Sequence, residues 1–353
     1  MPTNLYDAHK QWVARSPDER FPTIDALLDF TGRRKRDSVE DRRDLHSLRI
    51  YASHGGALNL NGHLPHAILT NWAFSQLCQR VGAPAGYLRS LPADVTAQCL
   101  EYGISRSSDE CNILTRKNPE SDDSAIANVA AAFTSSSYGR IWDYDVLTEL
   151  QSAIDGTAWR PPPAPANESR GLYASDRDMF VFLINDEQPI EIGNARLSKG
   201  FFCWNSETGS ATFGLTTFLY NHICGNGVVW GAEQVEELKI VHRNRALHRF
   251  YTEAVPVLNR FVENRALDDH IKDTVHRAMN QRTGSTLEEI LSLFKDEPFT
   301  RSELATAWKT GLAEGDDPTT VWGLVQGMTA VAREIPYADK RVSLERRAGA
   351  LLR

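Results

Sequence analysis

The sequence predicts an α+β protein, with an antiparallel sheet of hairpins packed by helices and a mainly α-helical region after it. Three observations predict this. Short apolar or alternating runs bounded by Gly, Asn and Asp clusters fill the middle of the chain, as hairpin strands do. Segments with apolar residues three and four apart lie between them, the spacing of a helix with one buried side. Beyond Leu238 the helical spacing dominates.

Taken in order, Ile24, Leu27, Leu28 and Phe30 after Pro22-Thr23 read as a short helix ended by Gly32, with the basic run GRRKRDSVEDRR after it as a connector. Residues 48–53 and 57–61 flank His54-Gly55-Gly56 and read as a hairpin, because glycine supplies the positive φ of a tight turn. Trp72, Leu77, Cys78 and Val81 suit one helix, and residues 92–102 suit another. Residues 112–116 and 125–134 read as strands. Asp143 is placed as the N-cap of a helix reaching Ile154. The prolines of 159–171 (WRPPPAPANESRG) favour a stiff, extended connector, and 178–185 (DMFVFLIN) reads as a strand buried on both faces. Capping boxes are expected at Ser285 with Glu288 and at Thr300 with Glu303, and Asp317-Pro318-Thr319 opens a last long helix that Ile335-Pro336 interrupts. The resulting division is a helical and basic segment at 1–47, an α+β core at 48–237 and a helical region at 238–353.

With 353 residues, 41% of them hydrophobic and 24% charged, the chain is long enough for one large core or two moderate ones. No apolar run approaches the roughly 18–20 residues of a membrane span, and residues 1–10 lack a basic start followed by an apolar block, so a cytoplasmic protein is expected. Five widely spaced cysteines fit neither a disulfide framework nor a metal knuckle.

Residues 201–231 are the most informative stretch. Phe201-Phe202-Cys203-Trp204 reads as a strand, Asn205–Gly209 as a turn, 211–220 as the return arm or a strand running into a helix, and Gly225-Asn226-Gly227 as a second turn. Glu207, His222 and Cys224 mix acid, imidazole and thiol. Two readings stand: a nucleophile–base–orienter site, or a structural hairpin with a buried thiol and a hydrogen-bonded imidazole.

The run FFCWNSETGSATFGLTTFLYNHICGNGVVWG resembles the signature of the family known as domain of unknown function 932, found in phages, plasmids and bacterial mobile regions. Its aspartate-rich strand, NSE-x-G turn and C-x-NG turn correspond here to 176–185, 205–209 and 224–227. Blocks at 127–138, 141–147, 321–330 and 344–352 extend the likeness, to cover roughly residues 48–353. The family carries no agreed catalytic residues to transfer, so none is assigned. The layout is also similar to that of single-strand-annealing phage recombinases, which implies a homo-oligomer that grips single strands in a bacterial host cell.

Net charge is −7, so nucleic-acid binding requires segregated charge. Lys239, Arg243, Arg245 and Arg249 fall in a twelve-residue run without an acid, and residues 31–49 hold seven basic against four acidic side chains. On a helix from about residue 238, His242, Arg245 and Arg249 would share one sector, with Ile240, Leu247, Tyr251, Leu258 and Val262 opposite. The residues expected to contact single-stranded nucleic acid are Lys239, His242, Arg243, Arg245, Arg249, Lys199, Arg33, Arg34, Lys35 and Arg36. Tyr138 beside Arg140, Trp204 after Lys199 and Tyr173 near Arg170 are candidates for stacking bases. No cofactor and no metal are expected for this role. Two alternatives remain: an anti-defence or protein-interaction factor, and a metal-dependent phosphodiesterase using Asp176, Asp178, Glu187, Glu191 and Glu207.

Overall fold

A computed structural model describes residues 19–53, 55–61, 67–118, 128–162, 171–192, 195–221, 229–230, 237–263, 266–333, 344 and 347–352. Two sheets organise them. The first holds β1 (Ser38–Asp44), β2 (Arg49–Ala52), β3 (Leu58–Asn61), β4 (Ala67–Leu69), β5 (Glu110–Lys117) and β6 (Asn128–Ser135), in the order β1-β5-β6-β4-β3-β2. Only β4 and β6 run parallel. One face packs on α2 (Asn71–Arg80) and α4 (Ala93–Ser105), with α3 (Ala85–Leu88) between them in sequence, burying Ile50, Leu60, Phe74, Leu77, Leu100, Ile113 and Phe133. The other face carries Leu114, Ala132 and Arg116.

The second sheet orders β12 (Val229–Trp230), β11 (Phe213–Asn221), β10 (Ala195–Asn205), β9 (Met179–Ile192) and β7 (Trp159–Arg160), with β13 (Glu237–Ile240) on β11 and β8 (Leu172–Ala174) on β9. Residues 179–184 of β9 and 201–205 of β10 are buried on both sides, as the continuous apolar run at 178–185 predicts. Val181, Leu183, Phe201, Cys203 and Leu215 pack with α1 (Ile24–Arg36), α5 (Asp143–Ile154) and α7 (Val255–Glu263). Tyr173, Phe180, Phe182, Phe202 and Trp204 form an aromatic cluster on the opposite face. Gly214 leaves room for the Trp204 indole, which a Cβ there would overlap.

Helices α8 (Ala266–Asn280), α9 (Leu287–Leu293), α10 (Arg301–Glu314) and α11 (Val321–Arg333) share a separate core of Val275, Ile290, Leu304, Trp322, Val325 and Met328. The architecture is α+β. The hairpin at 49–61, the hairpin about the turn at 205–209, whose first strand begins earlier than expected at Ala195, the helix to Ile154 and the capping box of Thr300 with Glu303 stand where the sequence places them.

Four local readings change. Gly32 does not end the first helix: it lies buried where a Cβ would stand 3.0 Å from Tyr144, and helix continues to Arg36. The connector after it is strand β1, paired with β5. Its charged side chains suit a sheet edge, where one face and one backbone rim meet water. Asp143 is the first helical residue, not the N-cap, because its side chain turns inward to Asn205. The box expected at Ser285 is one residue later, with Thr286 accepting from Glu289 N–H and Glu289 accepting from Ser285 N–H. His222, Cys224 and the turn at 225–227 lie outside the described residues, as do 163–170 and 334–343.

Candidate nucleic-acid interface

The turn after β10 is built as an internal joint. Asn205, Ser206, Glu207, Thr208 and Ser210 are all buried, and Gly209 takes φ +83°. The hydroxyls of Ser206, Thr208 and Ser210 donate to the Arg177 carbonyl at 2.6, 2.9 and 2.8 Å. Trp72 and Gln76 of α2 donate to the Thr208 carbonyl at 2.9 and 2.8 Å, and the Tyr138 hydroxyl donates to the Ser206 carbonyl at 2.7 Å. Unpaired polar groups would be costly at such burial, so this dense satisfaction is what permits a polar turn inside the protein.

Glu207 is its charged centre. One carboxylate oxygen pairs with Arg116 of β5 and lies 3.9 Å from Arg34 of α1; the other accepts the Asp143 N–H at 2.9 Å. That amide is at the positive end of α5, which favours an anion there. Burial and the Glu207 charge push the Asp143 acid up, so it stays protonated, while Asn205 donates to it at 2.7 Å. Burial and Arg34 bring Arg116 down to about 10, still a cation at neutral pH. Both oxygens of Glu207 are engaged and 1% of its side chain is exposed, so it clamps the two sheets and offers no open face to a substrate.

Residues 138–144 lead away from this joint with an aromatic or basic side chain at every second position; Arg140 is buried, and Tyr138, Trp142 and Tyr144 are half-buried. The Arg140 guanidinium stands 5.2 Å from the Tyr138 ring and 5.5 Å from the Trp142 ring. Lys35 lies 6.0 Å from Trp142 and 5.5 Å from Tyr144, and also pairs with Asp145 at 2.5 Å. At the other end Tyr138 stacks on His242 with centroids 5.0 Å apart. His242 Nδ1 bonds the Gly139 carbonyl at 3.1 Å and Asn244 N–H donates to Ser137 at 2.9 Å. Gly139 lies so near Arg243 that a Cβ would come within 2.6 Å of its carbonyl oxygen. Burial holds the His242 imidazole down to about 4, against the opposing effect of its bond to Gly139, so it is neutral.

The structure thus connects two basic segments that are some two hundred residues apart in sequence. Arg33 and Arg36 are exposed in the last turn of α1, and Arg243 and Arg245 are exposed before α6 (Ala246–Arg249). None of these four has an acid partner among the described residues. The other expected contacts are placed differently. Arg34 turns inward, donating to the Ser175 carbonyl at 2.6 Å. Arg249 is held by Glu253 in two bonds of 2.8 Å. His242 is buried. Lys239 is exposed on β13 opposite Gly214, on the Trp204 side of the sheet, whereas Lys199 alternates with Phe201 and Cys203 on the other side. Tyr173 and Trp204, both 1% exposed, are core residues closed to stacking.

The expected helix from residue 238 is corrected by β13, whose Ile240 faces the core on a two-residue period. Helix begins at Ala246 and passes into a π-helical turn at Phe250–Ala254, which widens the helix and rotates α7 relative to α6. Val241, Leu247 and Tyr251 are 51, 37 and 44% exposed, so Leu247 and Tyr251 do not join the buried face expected of them. Sequence reading missed Trp142, Tyr144 and Glu40, which accepts from Arg140 Nε at 2.6 Å. The alternation Tyr138-x-Arg140-x-Trp142-x-Tyr144 was the available signal. Among the described residues no three His, Cys, Asp or Glu side chains gather to hold a metal ion, and no helix is long and apolar enough to cross a membrane.

These features define an α+β protein whose sheets meet at a buried acid–arginine clamp beside a half-buried strip of aromatic and basic side chains. The family model for the domain of unknown function DUF932 matches residues 131–347, and the chain belongs to that family. The match contains Glu207 and residues 138–144 but neither Arg34 nor Arg116. No curated protein and no solved structure matches the chain.

Proposed function

We propose that the protein binds single-stranded nucleic acid, in the service of strand annealing or protection within a mobile element. The observation that carries this reading is the pairing of exposed arginines, Arg33 with Arg36 and Arg243 with Arg245, at the two ends of the cation–aromatic segment 138–144. Single-strand sites combine cations that follow phosphates with flat side chains that receive bases. Tyr251 and Leu247 supply exposed flat and apolar surface next to Arg245. Arg249, Lys35 and Arg34 already have acid partners, so they order the strip more than they attract phosphate. The meander β9-β10-β11 followed by helices supports the analogy to annealing recombinases at the level of layout alone. Assembly into a homo-oligomer and action in the bacterial cytoplasm belong to the same proposal.

The test is fluorescence anisotropy of a labelled, unstructured oligonucleotide with chelator present. Binding without metal, with the strand left intact, is the expected result. No binding at low salt overturns the proposal. Shortening of the strand that chelator stops would instead indicate a phosphodiesterase, and a stable complex with a host protein in place of DNA would indicate an anti-defence factor.

A further inference from the structure

A second concavity lies on the far side of the first sheet, away from the strip. It is an open cavity of about 530 Å³ between the β2–β3 turn, β4 and the starts of α2 and α4. That volume is within the range of small-molecule sites. Its walls divide evenly between polar and apolar surface, the apolar part coming from Leu58, Ile68, Leu69, Phe74, Leu88 and Leu91. Arg89 is the one charged residue among the described residues lining it. The guanidinium is braced: Nε donates to Asn71 Oδ1 at 3.3 Å, Nη2 to the Asn71 carbonyl at 3.1 Å and to Ser75 Oγ at 2.5 Å, and the plane lies 4.9 Å from the Phe74 ring.

A long cation held by hydrogen bonds and an aromatic face has already lost the rotamer freedom that binding would otherwise cost. Its Nη1 makes no hydrogen bond within the protein among the described residues. Two helices also begin at this cavity, α2 at Asn71 and α4 at Ala93. The first is capped by Thr70 and the second carries Asp94 in its first turn, so Arg89 is the cationic group of the cavity.

We infer that this cavity binds a small organic anion with an apolar body, its carboxylate or sulfonate on Arg89 and its hydrocarbon against Phe74, Leu88 and Leu91. The site is independent of nucleic-acid binding. The probe is anilinonaphthalene sulfonate, whose fluorescence rises in an apolar site, titrated into the native protein and displaced with octanoate. One saturable site is expected, displaced by octanoate. Arg89→Gln, at an exposed side chain, should weaken it about tenfold, and Leu69→Trp should fill the cavity and remove it, with the circular dichroism of both variants unchanged. Absence of a saturable site, or binding that Arg89→Gln leaves intact, overturns the inference.

Discussion

At the residue scale, the burial of Glu207 between cations is a strong constraint on the fold. A buried pair contributes little over an apolar one, yet removing one partner strands the other charge. Glu207→Gln leaves Arg116 buried without its counter-ion, so a loss of about 3–5 kcal/mol is expected from urea denaturation. A change under about 1 kcal/mol would show that the clamp does not bear on stability. His242 makes a second, pH-dependent contribution. Its folded value near 4 lies below the ordinary 6.5, so the unfolded chain takes up the proton first. Stability from this group is complete above pH 6.5 and falls by about 3 kcal/mol as pH drops to 4. Asp143 acts in the opposite sense, because its folded value is raised and its contribution falls as pH climbs past its ordinary 3.8. The difference between wild type and His242→Gln isolates the histidine: the variant's stability should fall less between pH 6.5 and 4 in a series of denaturation curves.

At the element scale, local chemistry made much of the fold legible. Gly55-Gly56, the Thr300–Glu303 box and the apolar run at 178–185 each determine their structure from neighbouring residues. β1 was not legible, because SVEDRRD has no apolar alternation and becomes a strand only through β5. β13 was not legible either, since four residues carry too little pattern to compete with the helical spacing beyond them. The site was half legible. The basic runs are visible in sequence, but the clamp is not: Arg116 and Asp143 lie 91 and 64 residues from Glu207. Helix packing adds a test at this scale. Gly327 of α11 lies against the Ala307 carbonyl of α10, where a methyl group would overlap the oxygen. Gly327→Ala should therefore force the helices apart and cost about 1–3 kcal/mol in a denaturant midpoint. A midpoint unchanged from wild type would mean that the crossing is wider.

At the scale of the whole molecule, a protein of net charge −7 repels nucleic acid at long range, so the proposed binding would depend on where exposed, unpaired cations stand. Arg33, Arg36, Arg243 and Arg245 are exposed without an acid partner among the described residues, while Arg34, Lys35 and Arg249 are tied to acids. Each phosphate contact releases condensed counter-ions, and the logarithm of affinity falls with the logarithm of salt in proportion to the number of contacts. The most direct measurement is that slope for an unstructured oligonucleotide, taken for wild type and for the variant carrying Arg33→Gln, Arg36→Gln, Arg243→Gln and Arg245→Gln together. Binding through the strip predicts a steep slope in the wild type and a slope shallower by roughly 0.7 for each arginine that contacts phosphate, with weaker binding at every salt concentration. Equal slopes and equal affinities in the two proteins would contradict it.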